Sequence, residues 1–454
     1  MKMDLEKIKN AKSLTRCLCC GSEELELVLD LNEQPMANSF KKSPDDEELT
    51  FPLRLNICKN CTHLQLSHAV NPDFLFKDYL YVSGTSKTLH NYFEAFAGNV
   101  MLNYFIKSDI PTNIDQLAPD FVSGTDKDIT DEEVTHQDYR VPPRTVLDIA
   151  CNDGTQLDKF KAIGMKTYGI DPAQNLHELS SRNHEVICDY FTEEYIDHYK
   201  SKKLDIIIAQ NVFAHNDYPM DFLKHCKAIM HDNTRLFIQT SQAEMIKNNE
   251  FDTIYHEHLS FFNSKSMLAL AERAGLTIID IVKTPIHGTS YLFVMALPGV
   301  CDVNDTVQEQ LELEQEQGLH DLSKYPAYTE RCYEIVTQLK EKIEWYRSQG
   351  YVTAGYGAAA KGNTLLNFGK IWLDFIIDDN ELKQGLYAPG TNIPVESIDI
   401  LDECDDMKVV FIPLAWNFHT EIKEKILQKR DREDDVFIKY FPEIVVEQNV
   451  KVGA

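Results

Sequence analysis

The stretch from Arg144 to Asp171, RTVLDIACNDGTQLDKFKAIGMKTYGID, constrains this chain more than any other. Thr145–Ala150 clusters apolar residues as a short buried strand does, with Asp148 towards its end. The turn Asn152-Asp153-Gly154 follows, where glycine permits tight backbone geometry and close approach of a ligand. Thr155–Ile163 reads as an amphipathic helix, with Leu157, Phe160 and Ile163 on one stripe and Lys159 and Lys161 off it. A second strand, Thr167–Ile170, ends on Asp171, about 20 residues past the turn, where a carboxylate suits the two hydroxyls of a ribose. The turn lacks the G-x-G-x-x-G pattern, so a dinucleotide is not the first expectation.

At 454 residues the chain exceeds one ordinary core, and two or three domains are expected. Its net charge of −27 argues against nucleic-acid and anionic-membrane partners. No apolar run reaches transmembrane length, and Met1–Arg16 lacks the apolar core of a signal peptide. Eleven cysteines in that context imply a reducing, cytoplasmic setting, with thiols or thiolate ligands in place of disulfides.

Two C-x-x-C pairs, Cys17/Cys20 and Cys58/Cys61, each place two thiolates on one knuckle, and two knuckles complete a tetrahedral zinc site. Cys19 offers the first knuckle an alternative ligand, and His63 and His68 lie near the second. Four protein ligands make the metal structural, since catalytic zinc keeps an open position. Phe51–Ile57 and Leu64–Leu66 supply strands beside it. Further on, FLFKDYLYVSGTS, with Tyr79 and Tyr81, suits either core packing or a polar pocket, and a helix is expected over Leu89–Val100. Pro111–Asp138 is acidic and aperiodic, and reads as a solvated insertion.

After Asp171 strands and helices alternate: strands at Glu185–Cys188, Leu204–Ala209 and Arg235–Gln239, helices at Tyr190–Tyr199 and Met220–Met230. A closing pair, Thr277–Val282 and Tyr291–Ala296, gives a mostly parallel sheet with an antiparallel edge. Ligands bind beyond the carboxyl ends of such strands. Two roles suit Asp189, an adenine contact or a helix N-cap before Tyr190, and Gln210 and Asn211 lie past their strand on the expected cofactor side. The segment Tyr255-His256-Glu257-His258, read as extended, is not H-E-x-x-H, because its two histidines stand two apart and not four apart on a helix. A buried His–Glu–Tyr cluster suits proton removal from carbon, and equally suits a satisfied network under a loop.

In the last third, Asp302–Gln349 reads as acidic connectors and a long helix buried through Leu339, Ile343 and Tyr346. Tyr351–Gly357 then opens a second βαβ unit. Gly355-x-Gly357-x-x-Ala360, followed by Lys361 and Asn363 and later by Asp378 at the end of strand Leu373–Ile377, fits a dinucleotide fingerprint.

DIACNDGT resembles motif I of the class I S-adenosylmethionine-dependent methyltransferases. The ordered set C-x-x-C…C-x-x-C, DYLYVSGTS, LDIACNDGT, FDTIYHEHLS and GYGAAAKGNTLLN resembles, over nearly the whole chain, the nucleotide-sugar C-methyltransferases that act on C-3 of dTDP-linked 4-ketohexoses. The resemblance implies an α/β architecture: a small zinc-binding unit, a class I methyltransferase Rossmann-like sheet and a second, C-terminal Rossmann-like domain. Expected bounds are 1–100 for the zinc-binding domain, 101–143 for the acidic linker, 144–300 for the methyltransferase domain, 301–349 for a helical connector and 350–454 for the last domain. It implies S-adenosylmethionine held by Asp148, Asn152, Asp153, Gly154, Asp171, Asp189 and Asn211. It makes His258 the base, supported by Tyr255 and Glu257, with Tyr79 or Tyr81 meeting the sugar. His287, Lys361, Asn363 and Asp378 are the expected contacts to a nucleotide-sugar substrate. Where the family commonly reads H-G-G-S-x-R, this chain has His287-Gly288-Thr289-Ser290-Tyr291-Leu292, so the resemblance does not carry over the identity of the sugar. Three other readings stand beside this one: O- or N-methylation of a nucleotide sugar, an NAD-dependent oxidoreductase using Gly355–Ala360, and a non-catalytic zinc-bearing protein. The expected partners are the nucleotide-sugar substrate, with no nucleic acid and no membrane; the sequence leaves the oligomeric state open, a monomer included.

Overall fold

The computed structural model describes residues 10–77, 82–106, 144–241, 243–286 and 288–449. The acidic insertion, Tyr79, Tyr81 and His287 lie outside them. No helix among the described residues is long and apolar enough to cross a membrane.

Near the amino terminus, β1 (Ala11–Ser13), β2 (Leu25–Pro35), β3 (Thr50–Cys58), β4 (Leu64–Leu66) and β5 (His68–Val70) flank the cysteine pairs. The strand β2, absent from the expectations above, pairs with β3 across two register shifts, at Leu27/Leu29 and Asp30/Glu33. Those bulges break the two-residue alternation that marks a strand. Helix α1 (Lys87–Met101) starts where the Ser86 side chain accepts from Leu89 N–H.

The motif at 144–171 forms β6 (Thr145–Ile149), α2 (Thr155–Ala162) and β7 (Lys166–Ile170). Leu157 and Phe160 are buried, but Ile163 is 51% exposed because the helix ends one residue before it. Then come β8 (Glu185–Ile187), β9 (Ile206–Gln210), α3 (Pro219–Ile229), β10 (Arg235–Ser241), β11 (Ser260–Phe261), α4 (Ser264–Ala274), β12 (Thr277–Thr284) and β13 (Ser290–Ala296). The helix expected over Tyr190–Tyr199 is shorter, a 3₁₀ turn at Glu193–Tyr195 and then Ile196–Lys200. Asp189 does not cap a helix at Tyr190; it accepts from Tyr190 N–H and from Tyr195 Oη–H, and the 3₁₀ turn starts after Thr192. Seven strands form one sheet in the order β12-β13-β10-β9-β6-β7-β8. Pairs β6/β7, β6/β9 and β7/β8 are parallel, and β12/β13 is antiparallel.

Two helices follow, α5 (Asp305–Glu316) and α6 (Tyr325–Ser348), the latter burying Leu339, Ile343 and Tyr346. The second Rossmann-like sheet contains β14 (Val352–Tyr356), β15 (Phe375–Ile377), β16 (Val395–Glu396), β17 (Val409–Pro413), β18 (Val436–Lys439) and β19 (Val445–Gln448), with α7 (Ala360–Gly369) and α8 (His419–Lys429). Its order is β16-β15-β14-β17-β18-β19, parallel except for β19.

The chain falls into two compact units, Met1–Leu80 with Ala209–Lys227 and Phe237–Ala454, and Tyr81–Ile208 with Ala228–Leu236. In the first, one apolar core runs through Leu55, Leu64, Phe251, Leu339, Leu365 and Ile412. The zinc-side sheet, α6 and the C-terminal sheet therefore share a core. In the second, α1 lies on α2, with Phe96 edge-on to Phe160 at 6.2 Å.

Candidate active site and metal centre

Cys17, Cys20, Cys58 and Cys61 bring their sulfurs within 4.8 Å of one another. Two of the pairs, Cys17/Cys61 and Cys20/Cys58, stand 3.5 Å apart. Tetrahedral zinc with bonds of about 2.3 Å sets sulfurs about 3.8 Å apart, so this donor set fits the ion with little adjustment. Of the alternatives, Cys19 is fully buried outside the cluster, His63 Nε2 meets Ser260 Oγ at 3.2 Å and His68 bonds Ser13 and Ser67. Four thiolates would hold a zinc ion here with no position left open, the arrangement of a structural site.

At the carboxyl end of β6 the chain turns through Asn152, with φ of 53°, and Gly154, with φ of 86°. A side chain at Gly154 would also meet Ser180 Cα at 3.2 Å. Asp171 Oδ2 accepts from Asn152 N–H at 2.8 Å, and Oδ1 accepts from Ala173 N–H at 2.8 Å. Asn152 and Asp153 point their side chains at Ser83 and Gly84. Both Asp189 oxygens are engaged locally, by Tyr190 and Tyr195. Asp148 is 3% exposed; burial pushes its carboxyl well above the usual range, and Asp171 adds to the push. Both effects favour the neutral acid, and a cationic group brought beside it would draw its pKa back down. At the carboxyl end of β9, both amide atoms of Gln210 and, just past it, Asn211 Oδ1 are buried with no hydrogen-bond partner. Such orphaned groups fit a polar ligand better than a sealed core.

The Tyr255–His258 segment is a tight turn and not the extended strand expected from sequence, closed by His258 N–H donating to Tyr255 O at 2.9 Å. The turn brings residues three apart together, so Tyr255 Oη lies 2.7 Å from His258 Nε2. On the other side of the ring, His258 Nδ1 lies 2.8 Å from the Thr253 carbonyl. A carbonyl only accepts, so Nδ1 carries the proton and Nε2 accepts from the Tyr255 hydroxyl. The group orienting His258 is thus a backbone carbonyl. Glu257 accepts from Asn38 Nδ2 at 2.5 Å. His256 points elsewhere, towards Phe51 O at 3.3 Å, and burial lowers its pKa to about 4. His215, not singled out from sequence, packs its ring 5.1 Å from that of His258, and burial lowers its pKa to about 4 as well. Only a histidine immediately after a strand-end turn, Ala214-His215, marked it in sequence.

In the C-terminal sheet, Asp378 Oδ2 accepts from Ala358 N–H at 2.6 Å, and its Oδ1 accepts from Asn380 N–H at 2.8 Å. Lys361 Nζ sits 5.0 Å above the Trp416 ring, and Trp416 Nε1–H donates to Asp252 Oδ2 at 2.8 Å. Asn363 is 1% exposed; its Nδ2 donates to Ala37 O, and its Oδ1 has no partner. Asp252, unremarked in the sequence, is fully buried; burial raises its pKa to about 7, with Lys361 drawing it back down.

Three family models match in order: a zinc binding domain over residues 17–76, a methyltransferase domain over 107–281 and a C-methyltransferase C-terminal domain over 285–442. The C-methyltransferase NovU of Streptomyces niveus is 28% identical over 422 residues, covering 90% of this chain and 92% of its own. Among solved structures, an S-adenosylmethionine-dependent methyltransferase from Clostridium acetobutylicum ATCC 824 is 12% identical, with a TM-score of 0.28 over 34% of this chain and 85% of its own. One from Archaeoglobus fulgidus is 16% identical, with a TM-score of 0.28 over 34% and 86%. With a four-cysteine cluster, a Rossmann-like methyltransferase sheet and a match to a C-methyltransferase C-terminal domain in one chain, this protein is an S-adenosylmethionine-dependent methyltransferase similar along nearly its whole length to a C-methyltransferase.

Proposed function

We propose that this enzyme methylates carbon 3 of a nucleotide-linked 4-keto-deoxysugar, with Tyr255 and His258 removing the proton from that carbon. The observation that carries the reading is the Tyr255–His258 pair. Its tautomer is fixed by the Thr253 carbonyl, so a basic Nε2 waits behind a tyrosine hydroxyl. A carbon next to a ketone is acidic enough for such a base, whereas a hydroxyl or amine acceptor needs only orientation. In the proposed step the C–H bond breaks and its electron pair moves into the enolate. The proton passes to Tyr255 Oη as the tyrosine proton passes to His258 Nε2, leaving an imidazolium. His215, neutral at working pH, adds no competing charge beside it. S-adenosylmethionine, when bound, supplies the electrophilic methyl group. Asp171 is assigned to the ribose, Asp148 and Gly154 to the amino-acid end, and Asn211 to the cofactor side of β9. Lys361 and Asp378 are assigned to the nucleotide half of the sugar, beside the α7 amino terminus.

The test is exchange in deuterium oxide without methyl donor. The wild-type enzyme should replace the C-3 proton of a dTDP-4-keto-6-deoxyhexose, while His258→Asn should do so at least about a hundredfold more slowly yet still bind S-adenosylhomocysteine. A product methylated on oxygen or nitrogen, or full turnover by His258→Asn, would refute the assignment.

A further inference from the structure

Asn152 and Asp153 stand at the tip of the cofactor loop, yet their side chains serve another part of the chain. Asn152 Oδ1 accepts from Ser83 N–H at 2.9 Å, and Asp153 Oδ2 accepts from Gly84 N–H at 2.8 Å. The second oxygen of Asp153 accepts from Thr155 N–H at 3.1 Å, where α2 begins. His90, in the first turn of α1, donates from Nε2 to the Gly84 carbonyl at 3.0 Å. The 3₁₀ turn Ser83–Thr85 is therefore held by the cofactor loop on one side and by α1 on the other.

The fit has no slack. A Cβ on Gly84 would lie 2.4 Å from Asp153 Oδ2 and 2.6 Å from Thr155 Oγ1. Asn152 is also the residue whose N–H donates to Asp171 Oδ2. One residue thus connects the carboxylate assigned to the ribose with the turn that closes the Y-x-Y-x-S-G-T-S segment.

We propose that Asn152 and Asp153 are positioning residues that latch the Ser83–Thr85 turn to the cofactor loop, so that S-adenosylmethionine binding and ordering of this turn favour each other. The proposal rests on the reading of Asp171 as the ribose ligand and of the tyrosine-bearing segment as a sugar contact. A ligand on Asp171 restrains the backbone of Asn152, and restrained acceptors hold the Ser83 and Gly84 amides for a larger fraction of the time. Linkage makes the effect reciprocal, so loosening the turn must weaken cofactor binding by the same factor. Asn152 and Asp153 would then act on the cofactor indirectly, through the loop, while their side chains fix where the tyrosine-bearing segment ends.

The experiment follows amide hydrogen exchange at residues 82–86 and 151–155 in the full chain, free and saturated with S-adenosylhomocysteine, together with calorimetric affinity. In the wild type, the Ser83 and Gly84 amides should exchange at least about tenfold more slowly when ligand is bound, as expected if their hydrogen bonds to Asn152 and Asp153 become fully populated. Gly84→Ala pushes the turn away without altering the loop's own residues; it should abolish that added protection and weaken ligand binding. A bond that merely holds the structure would protect Ser83 and Gly84 equally with and without ligand, and Gly84→Ala would bind normally; that result overturns the latch. If residues 151–155 also gain no protection on binding, the placement of the cofactor on this loop fails with it. If they do gain protection while 83 and 84 do not, only the latch fails.

Discussion

Asp171 and Asp378 make the same two hydrogen bonds in two different sheets. Each caps the second strand of its βαβ unit, takes the N–H of the preceding loop on Oδ2, and takes the N–H two residues on with Oδ1. The acid at the tip of the second strand thus organises the loop before any ligand arrives. A substitution there changes loop geometry along with ligand contact. Conservative replacements are therefore the informative ones.

For the cofactor, Asp171→Asn keeps the size and one acceptor while removing the charge. Losing the charge-assisted part of its bonds, roughly 1.5 kcal/mol, should lower affinity for S-adenosylhomocysteine about tenfold by titration calorimetry. Unchanged affinity would place the ribose elsewhere.

At the proposed base, Tyr255→Phe removes the hydroxyl that meets His258 Nε2 and leaves the turn's backbone bond intact. The turnover number should fall by about 10²–10⁴-fold, the usual range for a lost acid–base group. Cofactor affinity should stay at the wild-type value. A loss of affinity without a loss of turnover would assign Tyr255 to binding alone.

Zinc removal should unfold the cysteine knuckles, because apparent binding energies of about 10–16 kcal/mol for structural zinc are folding energy. Cys58→Ser should release the ion and lower the melting temperature sharply. Metal analysis finding no zinc in freshly purified wild-type protein would contradict the assignment of the four-thiolate cluster.

Asp252 gives a pH signature. The folded acid keeps its proton up to about pH 7, because burial opposes its charge and Glu250 adds to the effect, while Lys361, Trp416 and Tyr440 pull the other way. Unfolded, it ionises near its ordinary value of about 3.9. Between those limits the folded chain binds more protons, so this group's contribution to stability falls as pH rises through the window. The full displacement corresponds to roughly 4 kcal/mol. Asp252→Asn, which can still accept from Trp416, should flatten the decline and be more stable than wild type at pH 8 in urea titrations. Parallel pH curves for the two proteins would show that Asp252 is ionised in the fold.

Much of the fold was legible because its strands are short apolar runs ending in acids and its glycine turns are sharp. Asp148, Gly154 and Asp171 fall where the sequence pattern puts them, in β6, in the turn and directly after β7. The bulged strand β2 was not legible, since its register slips twice. The Tyr255–His258 turn reads as extended because nothing in Tyr-His-Glu-His marks a turn by composition; bonds from Thr253 and Asn38 impose it. His215 and Asp252 act through neighbours brought from distant sequence, such as Trp416 for Asp252, and no local pattern reports that.

The pairing of β11 with β4 reaches beyond architecture. Ser260 and Phe261, directly after His258 and Leu259, lie opposite Gln65 and Leu64, and Leu66 N–H donates to Leu259 O at 2.9 Å. The strand that receives them leaves the second cysteine knuckle three residues after Cys61. On the proposed assignment, the metal never meets the sugar yet sets the aim of the base. Slow chelation should therefore silence proton exchange at the sugar before it erodes cofactor affinity, turning zinc supply into a throttle on carbon methylation.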